Sequence, residues 1–514
     1  MTIFSPLQYF NRPLALGCLL IALSSTNYGF DNQAFATTQA MPPFTRRFGK
    51  LNHATGKYAL EPYWLSLFNS LNYIGFAAGV LIGTEISSRF GRRWCMFCMS
   101  CYALVTATIA VTSQHREQIM AARILNYIYV GMELAVVPVY QSEIVPAPAR
   151  SLIVGTYQLS IGLGGLVINS VCRGTSTLSD DRAWRIPLGL FYIIPTVILS
   201  LIFLVPESPR WLLLHGHEEE AKNNLEKLRA GAFTQEAIET EFQELKYGLA
   251  VEQEKGRYIE LFQGTNLMRT VLVIMMNVFQ QATGQAFASQ YGAIFISRLG
   301  TVNPFSMGLI NAGIGLVALA FVLLISDRIG RRPLLFIGGL TQVAGLMTMG
   351  GLGTRHPTGR GTSIGIVSMM TIMSVGFTIG WAPMTYVVST ELPALRLKDL
   401  TMRVGFGFNV LFNFAVSFSV PYLIYPQYAG LESKVGFIFG SIAVLSVVFT
   451  YFCVPECKGK TLEQVDYLFQ HKVPLRNFKD YDFGGIVLAG DGDEEKAAVK
   501  GLATNLRPID AERQ

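Results

Sequence analysis

The chain has 514 residues, of which 51% are hydrophobic and only 15% charged, with a formal net charge of +6. Soluble domains carry roughly 25% charged residues, so this composition excludes an ordinary soluble fold and points to a polytopic membrane protein. The basic residues cluster between apolar runs, which suits membrane topology and not nucleic-acid binding.

Apolar runs of about 20 residues, the length that crosses a bilayer, fall at 13–36, 64–88, 94–113, 119–140, 151–173, 186–205, 268–297, 306–326, 333–353, 362–387, 399–424 and 435–454. They predict an all-α protein with twelve transmembrane helices, here spans 1 to 12. Residues 1–205 form a first six-helix bundle and 268–454 a second. Between them, 206–267 is charged, and the helical spacing of Leu225, Leu228, Phe242 and Leu245 predicts short amphipathic helices. Residues 455–514 are a tail whose polar distal part is expected to be disordered. Thr37 to Tyr63 is the longest loop on the opposite side. Arg89, Arg92 and Arg93 follow span 2; Arg328, Arg331 and Arg332 follow span 8; Arg396 and Lys398 follow span 10. Alternating spans put these and both termini on one side, the cytoplasmic one. Arg46, Arg47, Lys50 and Lys57 in the opposite loop run against that bias.

The halves repeat. Arg89–Arg93 reads RFGRR and Arg328–Arg332 reads RIGRR. Pro138, Glu143 and Arg150 recur as Pro383, Glu391 and Arg396, and Pro206–Arg210 has a looser echo in Pro455–Gly459. The offsets, about 240 to 250 residues, indicate one duplicated unit.

Span 7 holds NVFQQATGQAFASQYG, Asn277 to Gly292, in an otherwise apolar setting. An unpaired amide in hydrocarbon costs several kcal/mol, so these groups must face protein or a wet cavity. Neutral amides and hydroxyls suit a polyol, whose hydroxyls both donate and accept. Asp31, in NYGFDNQ of span 1, is a carboxylate at membrane depth and so a functional candidate by default. Burial and a nearby arginine act on such a group in opposite directions, which lets it gain and lose a proton; Arg123 in span 4 is the expected partner. Cys95, Cys98 and Cys101 lack a histidine or acidic companion, so no metal site is expected. No Walker-type loop, HExxH sequence or Ser/His/Asp set stands out, and no enzyme activity or cofactor is expected.

These features resemble a sugar porter of the major facilitator superfamily, most like fungal monosaccharide/proton symporters. PESPRWL at Pro206–Leu212, PECKGKTLEQVD at Pro455–Asp466, PVYQSEIVPAPAR at Pro138–Arg150 and the pair Gln280-Gln281 carry the resemblance. Several positions depart from the family pattern. Ser88 stands where an aspartate belongs, Ala286 and Gln290 alter span 7, Tyr386 replaces a tryptophan, and Val410 follows Asn409 where a tryptophan is usual.

The resemblance implies two pseudo-symmetric six-helix bundles with one sugar site between them, worked by alternating access. It implies proton coupling at Asp31, and sugar contacts at Gln158, Gln280, Gln281, Asn311, Tyr386 and Asn409, with Gln285 and Gln290 as further candidates. Asn413 suits either ligand contact or packing. Phe30, Phe287 and Trp381 are candidates to stack on a sugar ring. Glu143, Glu207, Arg210, Glu391 and Glu456, with Arg89, Arg92, Arg150, Arg328, Arg331 and Arg396, are expected to form an inner latch whose ion pairs cross between the bundles. The expected partners are a sugar, a proton and the lipid bilayer, without nucleic acid, for a functional monomer in the plasma membrane. The rival readings are an uncoupled facilitator, a porter of inositol, quinate or a disaccharide, and a sugar sensor that does not transport.

Overall fold

The computed structural model describes residues 10–52, 56–251, 256–355, 359–460, 462–479 and 481. Helices follow the apolar runs. Span 1 is Arg12–Thr38. Span 2 is Pro62–Ser70 continued as Asn72–Phe90. Spans 3, 4 and 5 are Arg92–Val111, Arg116–Ile144 and Ala147–Thr175, and span 6 runs Arg182–Leu204. Span 7 is Gly264–Ala282 and then Gln285–Leu299. Spans 8 and 9 are Pro304–Ile329 and Arg331–Leu352. Span 10 is Arg360–Ile379 and then Trp381–Glu391; spans 11 and 12 are Lys398–Ile424 and Val435–Cys453. Among the described residues ten of these are long and apolar enough to cross a membrane as single runs. Span 7 is broken where Gly284 takes a φ of +90°, the left-handed region that favours glycine. Span 5 begins among residues whose side chains lie outside the described set.

Local chemistry sets the ends. Asn11 caps span 1 by accepting from the Leu14 N–H at 2.9 Å. Asn303 caps span 8, accepting from Phe305 and Ser306 at 3.0 and 3.1 Å, with Pro304 in the first turn. Both follow the preference for a short polar side chain before the first turn and proline just inside it.

Small residues then bring the helices together, as in membrane bundles generally. A Cβ at Gly79 of span 2 would stand 2.1 Å from the Ile128 carbonyl of span 4, and one at Gly29 of span 1 2.0 Å from Ile161 O of span 5. In the second half a Cβ at Gly436 of span 12 would meet Leu346 O of span 9 at 2.4 Å. The outward faces are apolar and open, with Leu81 and Val317 more than 70% exposed, as lipid contact requires.

The loop between spans 1 and 2 folds into a cap. Helix Pro42–Phe48 and a two-stranded antiparallel hairpin, Lys50–Asn52 with Lys57–Ala59, cover the end of the first bundle. Phe44 packs edge-on against Phe35 of span 1 and Trp184 of span 6, with ring centroids 5.9 and 6.0 Å apart. At the other end the linker forms helices Pro209–Leu214, Glu218–Arg229 and Gln235–Val251 around Leu212, Leu225, Ile238 and Phe242. Buried Arg229 ties it to span 4, donating to Glu241 and to Ile144 O at 2.7 Å. Asn11 donates to Lys227 O at 2.8 Å, so the start of span 1 and the linker share one end of the molecule. Helix Leu462–Gln470 docks on span 7 through an Arg269–Asp466 ion pair. Residues 482–514, where a disordered tail is expected, lie outside the described residues.

The halves touch at the end bearing the cap. Ser66 of span 2 donates to Phe418 O of span 11 at 2.6 Å, Gln290 of span 7 donates to the Tyr73 hydroxyl of span 2 at 2.6 Å, and Arg173 of span 5 donates to Ser306 of span 8 at 2.7 Å.

Candidate functional site

The polar side chains at membrane depth fall into two groups, one inside the first bundle and one whose bonds join helices of the second. Arg123 donates to Asp31 Oδ1 at 2.8 Å, and Asn126 donates to the same oxygen at 2.6 Å. Both members of the pair are buried. The guanidinium lies over Phe35 at 4.1 Å and over Tyr127 at 4.7 Å, so aromatic faces hold the charge where water does not. Asp31 Oδ2 has no hydrogen-bond partner among the described residues. It borders a cavity of about 20 Å³ lined by Phe35, Ala107, Ile119, Leu188 and Phe191, a space that holds about one water.

The amides are unequally engaged, and the bonds of Gln280, Gln281 and Asn409 join spans 7, 10 and 11 of the second half. Gln280 is buried and donates to Trp381 O and Ala382 O at 3.3 Å, bracing span 7 against the break in span 10. Asn409 of span 11 donates to Gln280 Oε1 at 2.7 Å and accepts from Gln281 at 3.0 Å. Gln281 and Gln158 are half-buried, and Gln158 has no hydrogen-bond partner among the described residues. Asn311, also half-buried, accepts from Thr371 at 2.8 Å. Tyr386 is 40% exposed although it lies mid-span. It faces Tyr28 and Tyr157 of the other half, so its exposure opens on the divide and not on lipid. Gln285 is half-buried, with a buried Oε1 that finds no partner. Gln290 points instead at Tyr73. Phe287 and Trp381 are packed against Phe295, Phe439 and Phe279, and Phe30 is buried; all three sit in helix contacts.

The charged clusters at the linker end pair within each half or with the adjoining linker and tail. Arg92 grips Glu143 with two bonds of 2.8 Å. Arg331 does the same to Glu391 at 3.1 and 2.8 Å. Arg89 pairs with Glu85 and Arg396 with Glu260. Glu207 and Glu456 accept from backbone N–H groups at the starts of spans 3 and 9. The Arg328 carbonyl accepts from Lys458, and Arg210 follows Glu207 into the first linker helix. The Arg150 side chain lies outside the described residues. The ion pairs named here are local, and the expected latch between the bundles remains an expectation.

One acid went unread in the sequence. Glu133 lies in span 4 and is fully buried, with Oε2 accepting from the Tyr157 hydroxyl at 3.1 Å. The signal that picked out Asp31, a carboxylate inside an apolar run, picks out Glu133 equally.

A family model described as Sugar (and other) transporter matches residues 17–469. The MFS transporter fmqE of Aspergillus fumigatus is 28% identical over 90% of this chain and 86% of its own. The low-affinity glucose transporter HXT3 of Saccharomyces cerevisiae is 28% identical over 90% of this chain and 82% of its own. Among solved structures, the inward-open xylose transporter XylE from E. coli superposes with a TM-score of 0.72 at 22% identity, over 88% of this chain and 98% of that one. The proton:xylose symporter XylE bound to 6-bromo-6-deoxy-D-glucose gives 0.70 at 24%, over 89% and 99%. At these identities the superpositions establish the fold.

Proposed function

The chain belongs to the Sugar (and other) transporter family, a multi-pass membrane protein of the major facilitator fold, and from that we propose that it moves a hexose or pentose across the plasma membrane together with a proton, by alternating access. The moving bodies are residues 1–205 and 268–454. Residues 206–267 and 455–514 lie in the cytoplasm with both termini, the linker end faces inward, and a single copy is the working unit. Sugar binds in the divide among Gln158, Gln281, Asn311, Tyr386 and Asn409.

The observation that carries the coupled reading is the Asp31–Arg123 pair, 2.8 Å long, buried beside a cavity the size of one water. A carboxylate held between a counter-ion and a low-dielectric wall responds to proton supply. Its ionisation state biases the two conformations by the difference in how each solvates it. The test is uptake of labelled D-glucose, D-xylose and myo-inositol in cells lacking their own hexose carriers. Accumulation above the external level, collapsed by a protonophore, is expected for one of them. Equilibration that a protonophore leaves unchanged makes the protein a facilitator.

A further inference from the structure

We propose that Glu133 is a second proton-exchanging group of this transporter, and that through Tyr157 its protonation state sets how one hydroxyl on the cavity wall presents itself to substrate. The proposal deepens the sugar-transport reading and rests on it.

The argument begins with what surrounds the carboxyl. Glu133 sits mid-way along span 4 with no surface exposed, and no cation pairs with it among the described residues. An acid so placed in a membrane span is a functional group by default. Oε2 accepts from the Tyr157 hydroxyl of span 5 at 3.1 Å, while Oε1 has no partner. Ser25 of span 1 stands beside it, and Ser25 Oγ and both amide atoms of the neighbouring Asn27 are also buried without partners. A carboxyl with one engaged oxygen and one free oxygen, and no cation beside it among the described residues, is placed to bind a proton as well as to accept a hydrogen bond.

The titratable neighbours are few. Span 1 contributes Tyr28 and, farther toward the cap, Asp31; span 4 itself contributes Tyr129, and span 5 Tyr157. Span 2 meets the adjacent Met132 with Gly83, and across the divide Tyr386 faces Tyr28 and Tyr157. Tyr157 is half-buried, bonded to Glu133 on one side and near Tyr386 of the other half on the other, so it stands between Glu133 and the divide.

The pair has two hydrogen-bonding states. With Glu133 ionised, the Tyr157 O–H donates to Oε2, and the phenol oxygen offers only lone pairs to a sugar hydroxyl. When Glu133 takes one proton from the cavity, its new O–H donates to the phenol oxygen, and the Tyr157 O–H turns outward as a donor. The proton leaves by the same route. One substrate contact thus changes from acceptor to donor with a single proton, and Asp31 takes no part in it.

The test uses the full chain reconstituted in liposomes, with D-xylose and D-glucose equilibrium exchange measured over the acidic to neutral range. The expected result is a one-proton step in KM of roughly 2- to 12-fold, the size of one hydrogen bond. Glu133→Gln, whose amide donates permanently to Tyr157, should lock KM at the acidic value, and Tyr157→Phe should remove the step. Infrared difference spectra read the carboxyl without any sugar: a pH-dependent carboxylic acid C=O band should vanish in Glu133→Gln and persist in Asp31→Asn and Tyr157→Phe. If Glu133→Gln fails to fold, Tyr157→Phe still decides the KM arm. With Asp31→Asn present throughout to remove the step that Asp31 itself gives, a step that survives either substitution, or the absence of a step with Glu133 and Tyr157 intact, overturns the proposal. Native protein that exchanges neither sugar and binds none of the wider panel brings down the transport reading and this one with it, whereas exchange without a step brings down this one alone.

Discussion

Glu207 does for the first half what Glu456 does for the second. Glu207 accepts from the N–H groups of Arg92 and Arg93, both at 3.0 Å, at the start of span 3. Glu456 accepts from Arg331 and Arg332 at 3.2 and 3.0 Å at the start of span 9. Each carboxylate also meets the positive end of a helix, an arrangement that favours anions. The repeat of RFGRR and RIGRR follows from this. A Cβ at Gly91 would stand 2.4 Å from Glu207 Oε2, and one at Gly330 2.7 Å from Glu456 Oε2, and the two glycines have φ of +95° and +103°. Gly91→Ala and Gly330→Ala should each destabilise the protein by about 1–3 kcal/mol, by similar amounts because the two sites are copies. Thermal melting in detergent checks this; an unchanged midpoint for either variant would contradict the shared geometry.

Glu207 also gives a pH dependence. Burial pushes its carboxyl above the ordinary value of 4.5, and the N–H groups of Ser208, Arg93 and Arg92 only partly offset that. The folded protein therefore holds this proton more tightly than the unfolded chain. The stability it contributes is complete below 4.5 and is lost as pH rises through the raised value. Glu207→Gln cannot ionise. Its melting temperature relative to the native protein should accordingly climb as pH rises across that window, and a difference that stays flat or falls would reverse the sign.

Much of this was legible, because hydrocarbon demands long apolar runs and the halves copy one another. What was not legible depends on partners far apart in the chain. Phe44 has meaning only beside Trp184, so Thr37 to Tyr63 reads as a plain loop while the structure makes a cap. Span 7 reads as one run, since nothing in the sequence singles out Gly284 from other membrane glycines as left-handed. The Asp31–Arg123 contact was foreseen because an acid in span 1 needs a cation and span 4 offers one. Gln290 reads as a cavity amide, but its bond to Tyr73 exists only once the halves have closed. Glu133 carries the same signal as Asp31, an acid inside an apolar run, but its complete burial shows only in the fold.

Gln158 and Gln280 should respond differently to truncation. Gln158→Ala removes a half-buried amide without a protein partner, so KM should rise roughly 2- to 12-fold with melting unchanged. Gln280→Ala leaves the Trp381 and Ala382 carbonyls and Asn409 Nδ2 short of a partner, and should also cost about 1–3 kcal/mol of stability. Parallel uptake and melting measurements separate the two; equal melting losses would mean that Gln158 is interhelical glue.

Asp31→Asn keeps an oxygen for Arg123 and Asn126 but removes the ionisable group. Uphill accumulation should disappear while counterflow exchange of preloaded sugar continues. Full accumulation by this variant would take Asp31 out of the coupling step.

The contact between Tyr73 and Gln290 should act as a strut on the capped end. It spans the divide at 2.6 Å and works beside Ser66–Phe418 and Arg173–Ser306, so its loss alone should not break the closure. A neutral hydrogen bond contributes about 0.5–1.5 kcal/mol. Tyr73→Phe removes only the hydroxyl and should therefore shift the conformational equilibrium roughly 2- to 12-fold toward the state open at that end. Spin labels on cysteines at the exposed Tyr63, in the first turn of span 2, and Tyr428, just past span 11, would report the shift as a larger long-distance population, once the exposed thiols Cys98 and Cys101 are replaced. Gln290→Leu should shift it in the same direction. Adding Tyr73→Phe to it should change little more, because both substitutions remove one bond. Fully additive shifts would place the two side chains in separate interactions.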